Sequence, residues 1–185
     1  DGMQSAQDYI DQLSSTSGMP KSLCVKNMAK ITHVLENMEA ILGGLTRGLD
    51  LRVLDREGRE FSERPLDFIC ESDVLGAVLP SNSPGVHSLW VQALALKVPV
   101  FLKPGSQEPW SPYRIAQAFY AAGLPQSAIG FYPTDHGGAA EILLRSGRSM
   151  VFGDKNTVAP WKNDRRVQIH GPGWSKLIIA EDKAA

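Results

Sequence analysis

The sequence predicts an α/β protein with a doubly wound, mostly parallel sheet and an N-terminal helical arm. From Val74 onward, short apolar runs alternate with stretches of helical periodicity, and the connections between them are short. This alternation is typical of parallel strands that are covered by helices. Polar residues or glycines follow several of the apolar runs. In sheets of this kind, ligands bind beyond the carboxyl ends of the strands.

We expect residues 1–66 to form the helical arm and a connecting segment, and residues 67–185 to form the sheet domain. A short helix is predicted around Ala6–Leu13. Ser14–Gly18 is rich in serine and ends in glycine, which predicts a break after that helix.

A longer helix is predicted over residues 26–46. Its apolar residues recur at steps of three and four and therefore fall on one face: Met28, Ile31, Val34, Met38, Ile41 and Leu45. Residues 47–66 are charged and contain glycine. There, Leu49–Leu54 and Glu60-Phe61 favour a hairpin or an extended arm.

Six apolar runs predict the strands of the sheet: Val74–Leu79, Val98–Leu102, Ala128–Tyr132, Ser149–Phe152, Val167–His170 and Leu177–Ile179. Helices are predicted over His87–Leu96 and Gly138–Arg145. A further helix should begin with Ser111 as its cap and Pro112 in the first position, and should end at Gly123.

The composition excludes several functional classes. The formal charge of −1 builds no field for nucleic acid, and no apolar run approaches the ~20 residues that span a bilayer. The first residues lack a secretory pattern. Two cysteines, Cys24 and Cys70, do not make a disulfide framework, so a reducing, cytoplasmic setting is expected. Neither the cysteines nor the four histidines have metal-ligand spacing, so no metal site is expected.

Two candidate residues follow neighbouring strands. Asn82 comes after Leu79-Pro80-Ser81, where its amide could donate to a developing oxyanion; alternatively, it is an ordinary turn asparagine. Lys103 ends an apolar strand, where it could hold a ribose hydroxyl or a phosphate. It could equally be a surface lysine at a strand end.

Two later strand ends supply further candidates. Gly153 would let backbone approach a pyrophosphate, although a glycine that ends a strand is common and Asp154 opposes an anion there. His170 could act as a general acid or base, or could be a hydrogen-bonded structural histidine. Cys24 and Cys70 precede the sheet, and both are expected to be buried, inert thiols.

Five segments in order resemble motifs of the aldehyde dehydrogenase superfamily: Leu79–Pro84 (its Pro-Trp-Asn-x-Pro turn), Leu102–Pro109 (Lys-Pro-Ser-Glu-x-Thr-Pro), Ala121–Pro125 (Glu-Ala-Gly-x-Pro), Met150–Asp154 (Phe-Thr-Gly-Ser) and Ile169–Lys176 (Glu-Leu-Gly-Gly-Lys-Ser). The resemblance covers residues 74–180 at near-family spacing, and the helix over 26–46 also fits. It implies a Rossmann-like domain that binds NADP or NAD.

The resemblance also implies roles for the candidate residues. Asn82 would stabilise the substrate oxyanion, and Lys103 would hold the adenosine ribose beside the turn Leu79-Pro80-Ser81. Ser106 stands where NAD enzymes usually have a glutamate. Its lack of charge favours NADP, because a carboxylate there would repel the 2′-phosphate. Gly153 and Asp154 would border the pyrophosphate.

The sequence departs from the family pattern at three points. The family's Gly-Ser-Thr-x-x-Gly is Gly153–Val158 here, so the serine and the second glycine are missing. The family's water-activating glutamate falls on His170. Members without that glutamate pass the acyl group to another acceptor, and the Gly-Pro-Gly-x-Ser-Lys run is similar to acyl-CoA reductases of the luminescence type. The nucleophilic cysteine of the family belongs to a catalytic domain absent from this sequence.

The leading hypothesis is therefore the cofactor-binding portion of an NAD(P)-dependent oxidoreductase that interconverts an aldehyde and an acyl thioester. The chain alone is expected to be inactive, and the full-length protein could be a homodimer. A second hypothesis is a non-catalytic relative that has lost cofactor binding and serves as a structural or interaction module. A third is an unrelated α/β nucleotide binder, which would require the five motifs to be coincidence.

Overall fold

The structure, a computed structural model, describes residues 4–48, 50–55, 70–173 and 178. Within these residues the sheet has five strands: β1 (Leu75–Val78), β2 (Val100–Lys103), β3 (Ile129–Phe131), β4 (Arg148–Phe152) and β5 (Val167–His170). All four neighbouring pairs are parallel, and the strand order is β3-β2-β1-β4-β5. The predicted parallel α/β sheet is confirmed. The sixth predicted strand, Leu177–Ile179, lies outside the described residues.

The strand order makes the sheet doubly wound. The chain runs outward from β1 through β2 to β3, then returns to place β4 on the other side of β1. The direction of winding therefore reverses between β1 and β4, where Val78 is in register with Val151. The loops that follow β1 and β4 run to opposite sides of the sheet, and a crevice forms between them at the carboxyl ends of these strands.

Helices cover both faces of the sheet. The described helices are α1 (Ala6–Ser17), α2 (Lys21–Glu36), α3 (Met38–Leu45), α4 (His87–Ala95), α5 (Trp110–Ala121), α6 (His136–Arg145) and α7 (Lys155–Val158). Among the described residues, no helix is both long enough and apolar enough to cross a membrane.

Alternate residues of the strands face two separate cores. The larger cluster packs against α4 and α5 and contains Ala77, Leu79, Trp90, Val91, Ala93, Val100, Leu102, Ala116, Ile129 and Met150. The smaller cluster packs against α6 and α7 and contains Val78, Ala139, Leu143, Val151, Val158 and Val167. Because successive side chains of a strand point to opposite faces, Lys103 lies on the smaller-core side, opposite to Leu102.

The N-terminal helices differ from the prediction in three places. The first helix runs through the serine-rich stretch to Ser17 and ends at Gly18, whose φ of 70° suits a glycine. The predicted helix over 26–46 is two helices, because Asn37 leaves helical geometry between α2 and α3. Leu51–Asp55 forms a 3₁₀ helix rather than an extended strand, and Glu60-Phe61 lies outside the described residues.

The start of α5 also corrects a prediction. The helix begins at Trp110, and the buried Glu108 carboxylate, rather than Ser111, caps it by accepting the Ser111 N–H at 2.8 Å. The Ser111 hydroxyl instead contacts the Tyr9 hydroxyl at 2.5 Å. Burial raises the pKa of Glu108 and of Tyr9. The buried contact between Tyr9 of α1 and Ser111 of α5 therefore joins α1 to the sheet domain.

Candidate functional site

A cleft of about 480 Å³ opens at the carboxyl edge of the sheet, where β1 and β4 separate. The loops after β1 and β2 form one side of it, and the end of β4 with α7 forms the other. Side chains of α6 close the back: His136, Ala139, Ala140 and Leu143. This is the position at which doubly wound sheets bind their ligands.

We call the first side of the cleft the lysine wall; it consists of Leu79, Pro80, Ser81, Lys103, Gly105 and Ser106. Main-chain contacts join its two loops. The Leu79 N–H donates to the Lys103 carbonyl at 2.9 Å, and the Gln107 N–H donates to the Ser81 hydroxyl at 3.1 Å. A Cβ atom at Gly105 would lie 2.6 Å from the Ser81 nitrogen, so only glycine permits this approach.

Lys103 is the cation of this wall. It ends β2 in register with Val78 of β1, and it is half-buried at the edge of the cleft. It makes no ion pair with the residues that the structure describes. Its ammonium group is therefore available to donate hydrogen bonds to a ligand in the cleft.

We call the opposite side the aspartate wall; it consists of Phe152, Asp154, Asn156, Thr157, Pro160 and Trp161, all of which line the cleft except Asp154 at its edge. Asp154 is the N-cap of α7, and its Oδ1 atom accepts the Thr157 N–H at 2.8 Å. This backbone hydrogen bond lowers the pKa of the Asp154 carboxyl. The wall therefore carries a negative charge at neutral pH.

Helix α6 begins with the same chemistry. Asp135 is its N-cap, with Oδ1 accepting the Gly138 N–H at 2.9 Å. That backbone hydrogen bond lowers the pKa of Asp135. Both helices that border the cleft therefore start with an ionised carboxylate that accepts a hydrogen bond from one of their free N–H groups.

Asn82 lies outside this cleft. It is exposed and lines a neighbouring depression of about 610 Å³, together with Ser81, Gln107 and the turn between α1 and α2. Ser81 borders both cavities. Asn82 therefore follows a cleft-lining residue directly in the sequence, but its own cavity lies on the side of the N-terminal helices.

His170 ends β5 beside the aspartate wall but does not line the cleft. Its ring stacks on Phe152, with centroids 4.3 Å apart and planes 9° from parallel. Its buried Nε2 atom has no hydrogen-bond partner among the described residues. Burial lowers the pKa of His170, so the ring is neutral at pH 7.

Neither cysteine of the sequence is placed as a nucleophile for this edge of the sheet. Cys24 is fully buried among the N-terminal helices, and burial raises the pKa of its thiol. Cys70 is exposed, which corrects the expectation that it is buried. It precedes β1, however, and therefore lies at the amino edge of the sheet, opposite Asn82 and Lys103.

The structure brings together five of the sequence-predicted residues in the cleft: Leu79, Pro80, Ser81, Lys103 and Ser106. Gly153 and Asp154 adjoin it, whereas Asn82 and His170 do not line it. Sequence reasoning missed the α6 residues, Thr157, Trp161 and Gly105. The aspartate caps could have located the starts of α6 and α7, because aspartate favours that position.

The sequence is similar to those of two curated dehydrogenases. The chain is 34% identical over 80 residues to geranial dehydrogenase of Castellaniella defragrans, a match covering 42% of this chain. It is 27% identical over 119 residues, or 59% of its length, to malonate-semialdehyde dehydrogenase of Pseudomonas aeruginosa. Both curated relatives are aldehyde dehydrogenases, and the chain is similar to that superfamily over the matched residues. The matches span only 17% and 24% of those curated relatives, and no family model matches this aldehyde dehydrogenase-like chain.

Solved structures extend the likeness to most of the aldehyde dehydrogenase-like chain. An NAD-dependent benzaldehyde dehydrogenase from Corynebacterium glutamicum superposes with a TM-score of 0.57 at 15% identity, over 89% of this chain and 38% of that one. Proline utilization A with bound proline gives a TM-score of 0.57 at 15% identity, over 88% of this chain and 17% of that one. The shared fold is Rossmann-like.

Proposed function

We propose that this chain is the NAD(P)-binding portion of an aldehyde dehydrogenase-like oxidoreductase that interconverts an aldehyde and an acyl thioester. The observation that carries the proposal is the cleft at the point where the sheet reverses its winding, with Lys103 on its wall. The cofactor, when bound, supplies a nicotinamide ring that accepts or donates hydride. The chain's own residues bind and orient it.

The adenosine end of the cofactor suits the cleft. Lys103 is positioned to donate to ribose hydroxyls. Ala139, Ala140 and Trp161 offer an apolar slot for a base. Ser106 is exposed and uncharged, so it does not repel a 2′-phosphate, and this supports NADP over NAD.

The phosphate end suits the cleft less well. The family's serine and second glycine are missing after Gly153, and Asp154 occupies the helix N-terminus instead. This observation favours the second candidate function, a non-catalytic relative that serves as a structural or interaction module. The two candidates differ in one measurable property, nucleotide affinity.

Two residues outside the cleft support the acyl-transfer part of the proposal. Asn82 is exposed at the carboxyl edge, where its amide could donate to an oxyanion. The neutral, stacked His170 replaces the glutamate that activates water in the family, which favours transfer of the acyl group to a thiol rather than to water. The attacking thiolate would come from protein beyond this sequence, since Cys24 and Cys70 are not suitably placed. A cytoplasmic setting and a homodimeric full-length protein remain predictions.

Calorimetry with NADP and NAD tests the proposal directly. The wild-type chain should bind at micromolar concentration, with NADP the tighter ligand. Lys103→Met should weaken binding about tenfold, because it removes a charge-assisted hydrogen bond. Lys26→Met makes the same change on an exposed face of α2, away from the cleft, and should have no effect. No binding of either nucleotide by a folded sample would instead support the non-catalytic module.

A further inference from the structure

Three backbone amides at the aspartate wall already donate hydrogen bonds within the protein. The Thr157 N–H donates to the Asp154 carboxylate at 2.8 Å, and the Val158 N–H donates to the Asp154 carbonyl at 3.1 Å. The Gly153 N–H donates to the His170 carbonyl at 3.2 Å. A phosphate at this wall would have to compete with these acceptors for main-chain donors, which are what phosphate sites at helix starts provide.

The space above Gly153 is also taken. A Cβ atom there would lie 2.5 Å from Cγ2 of Thr157, so the Thr157 side chain fills the room that glycine leaves. Thr157 itself lines the cleft. Gly153 therefore serves to pack α7 against the end of β4, and its lack of a side chain opens no channel for a ligand.

Charge acts in the same direction. The Asp154 carboxylate is ionised at neutral pH, and the hydrogen bond from the Thr157 N–H lowers its pKa further. Asp135 repeats the arrangement at the start of α6. The positive ends of the two helix dipoles are thus offset internally. Lys103 on the lysine wall is the one lysine or arginine among the described cleft-lining residues, and the Asp154 carboxylate lies at the edge of the wall opposite.

We propose that Asp154 is a specificity-determining residue that makes the cleft select ligands by their adenosine portion and disfavour phosphate at the aspartate wall. The inference rests on the proposed function, since it assumes that the cleft binds an adenine nucleotide. It accounts for an otherwise contradictory site, in which a nucleotide-binding position lacks the usual phosphate-binding backbone. Asp154 holds the place that a ligand phosphate would take.

The test compares adenosine, ADP and NAD by calorimetry on the wild-type chain and on Asp154→Asn. Asparagine keeps a cap oxygen for the Thr157 N–H but removes the charge, so α7 is preserved. Asp154→Asn should tighten ADP and NAD about tenfold and leave adenosine unchanged, because the removed repulsion acts on the phosphates alone. Asp8→Asn removes the same charge on α1, far from the cleft, and should change none of the three.

Salt provides a second readout of the same effect. The gain for ADP should shrink as ionic strength rises, since the repulsion is screened over about 10 Å at 0.1 M salt. Unchanged ADP and NAD affinities in Asp154→Asn, with adenosine bound, would overturn the role of Asp154 alone. Equal tightening of all three ligands would also overturn it, because the variant would then have altered the shape of the cleft. Silence of all three ligands with both folded proteins would refute nucleotide binding itself, and the inference with it.

Discussion

The two walls of the cleft end neighbouring strands of one sheet, yet they differ in charge and in construction. The lysine wall is held by main chain packed on main chain, where Gly105 approaches the Ser81 nitrogen. The aspartate wall is held by a side chain, the Asp154 carboxylate that caps α7. One wall presents an ammonium group and the other a carboxylate.

This difference distinguishes the position of a binding site from the ligand chemistry that the site accepts. The topology of a doubly wound sheet determines where a ligand can bind, because it brings the ends of β1, β2 and β4 to one edge. The residues after each strand determine which ligand chemistry is accepted there. In the proposed function, the position of the cleft selects a nucleotide and the aspartate wall disfavours its phosphates.

The largest effect is expected on the lysine wall, from Gly105→Ala. The new Cβ would lie 2.6 Å from the Ser81 nitrogen and 2.7 Å from the Pro80 carbonyl carbon. Backbone atoms of two strand-end loops cannot rotate away, so the free energy of unfolding should fall by about 1–3 kcal/mol. Urea denaturation measures the change.

Gly44→Ala is the matched control for that variant. Gly44 lies in α3, and a Cβ atom there would meet nothing within 4 Å. Alanine should raise the free energy of unfolding by about 0.5–1 kcal/mol, because glycine is unfavourable inside a helix. If Gly105→Ala proved as stable as the wild type, the two loops of the lysine wall would not be packed as described.

A smaller effect is expected on the aspartate wall, from Gly153→Ala. Here the new Cβ would meet the side chain of Thr157, with Cγ2 at 2.5 Å. Cγ2 can rotate away, but the Thr157 Cβ at 2.6 Å can yield only if the single turn of α7 shifts. A four-residue helix shifts more easily than two packed strand-end loops, so the loss in unfolding free energy should be about 1 kcal/mol, less than at Gly105.

A double-mutant cycle with Thr157→Ala sharpens this comparison. Thr157→Ala removes Cγ2 and the hydroxyl, which relieves part of the clash. The cost of Gly153→Ala should therefore be smaller in the Thr157→Ala background, and the two changes should be non-additive. Additive costs would show that Gly153 and Thr157 do not contact each other.

The five described strands could be predicted from the sequence, because each is a short apolar run with a polar residue or a glycine at or just after its end. His170 is the last residue of β5, as predicted, and β2 ends at Lys103, one residue beyond the predicted strand Val98–Leu102. The predicted helix over 26–46 concealed a break, because Met38 keeps the apolar face while Asn37 leaves helical geometry. Apolar periodicity predicts which face of a helix is buried. It does not reveal a break of one residue when the apolar residues on both sides of the break keep the same spacing.

The parts that sequence reasoning missed depend on contacts between distant segments. Ser111 has the chemistry of a cap, yet Tyr9, 102 residues away, takes its hydroxyl while Glu108 caps α5. The matched motif does not predict a glycine at Gly105, because the requirement comes from Ser81 in the loop after another strand. The sequence predicts that Asp154 is unfavourable to an anion, and the structure adds that its carboxylate caps α7.

The smallest expected effect concerns the pH dependence of stability and distinguishes the walls by charge. Hydrogen bonds from backbone N–H groups lower the pKa of Asp154 and of Asp135 in the folded protein. The stabilisation from each carboxylate is therefore complete above the unfolded pKa of about 4 and is lost as the pH falls through the lower folded value. Acid should weaken the aspartate wall.

Asp154→Asn removes one of these titrations while keeping an acceptor oxygen. Its free energy of unfolding should consequently fall less steeply than that of the wild type between about pH 6 and pH 3, measured as the urea midpoint at each pH. Asp135→Asn should flatten the curve in the same way, and the double variant should add the two changes, since the caps belong to separate helices. Ser106→Ala, on a wall whose cleft-lining residues include no carboxylate, should keep the wild-type slope. A wild-type slope in Asp154→Asn would mean that its carboxylate does not cap α7 in solution, and the charge contrast between the walls would lose its structural basis.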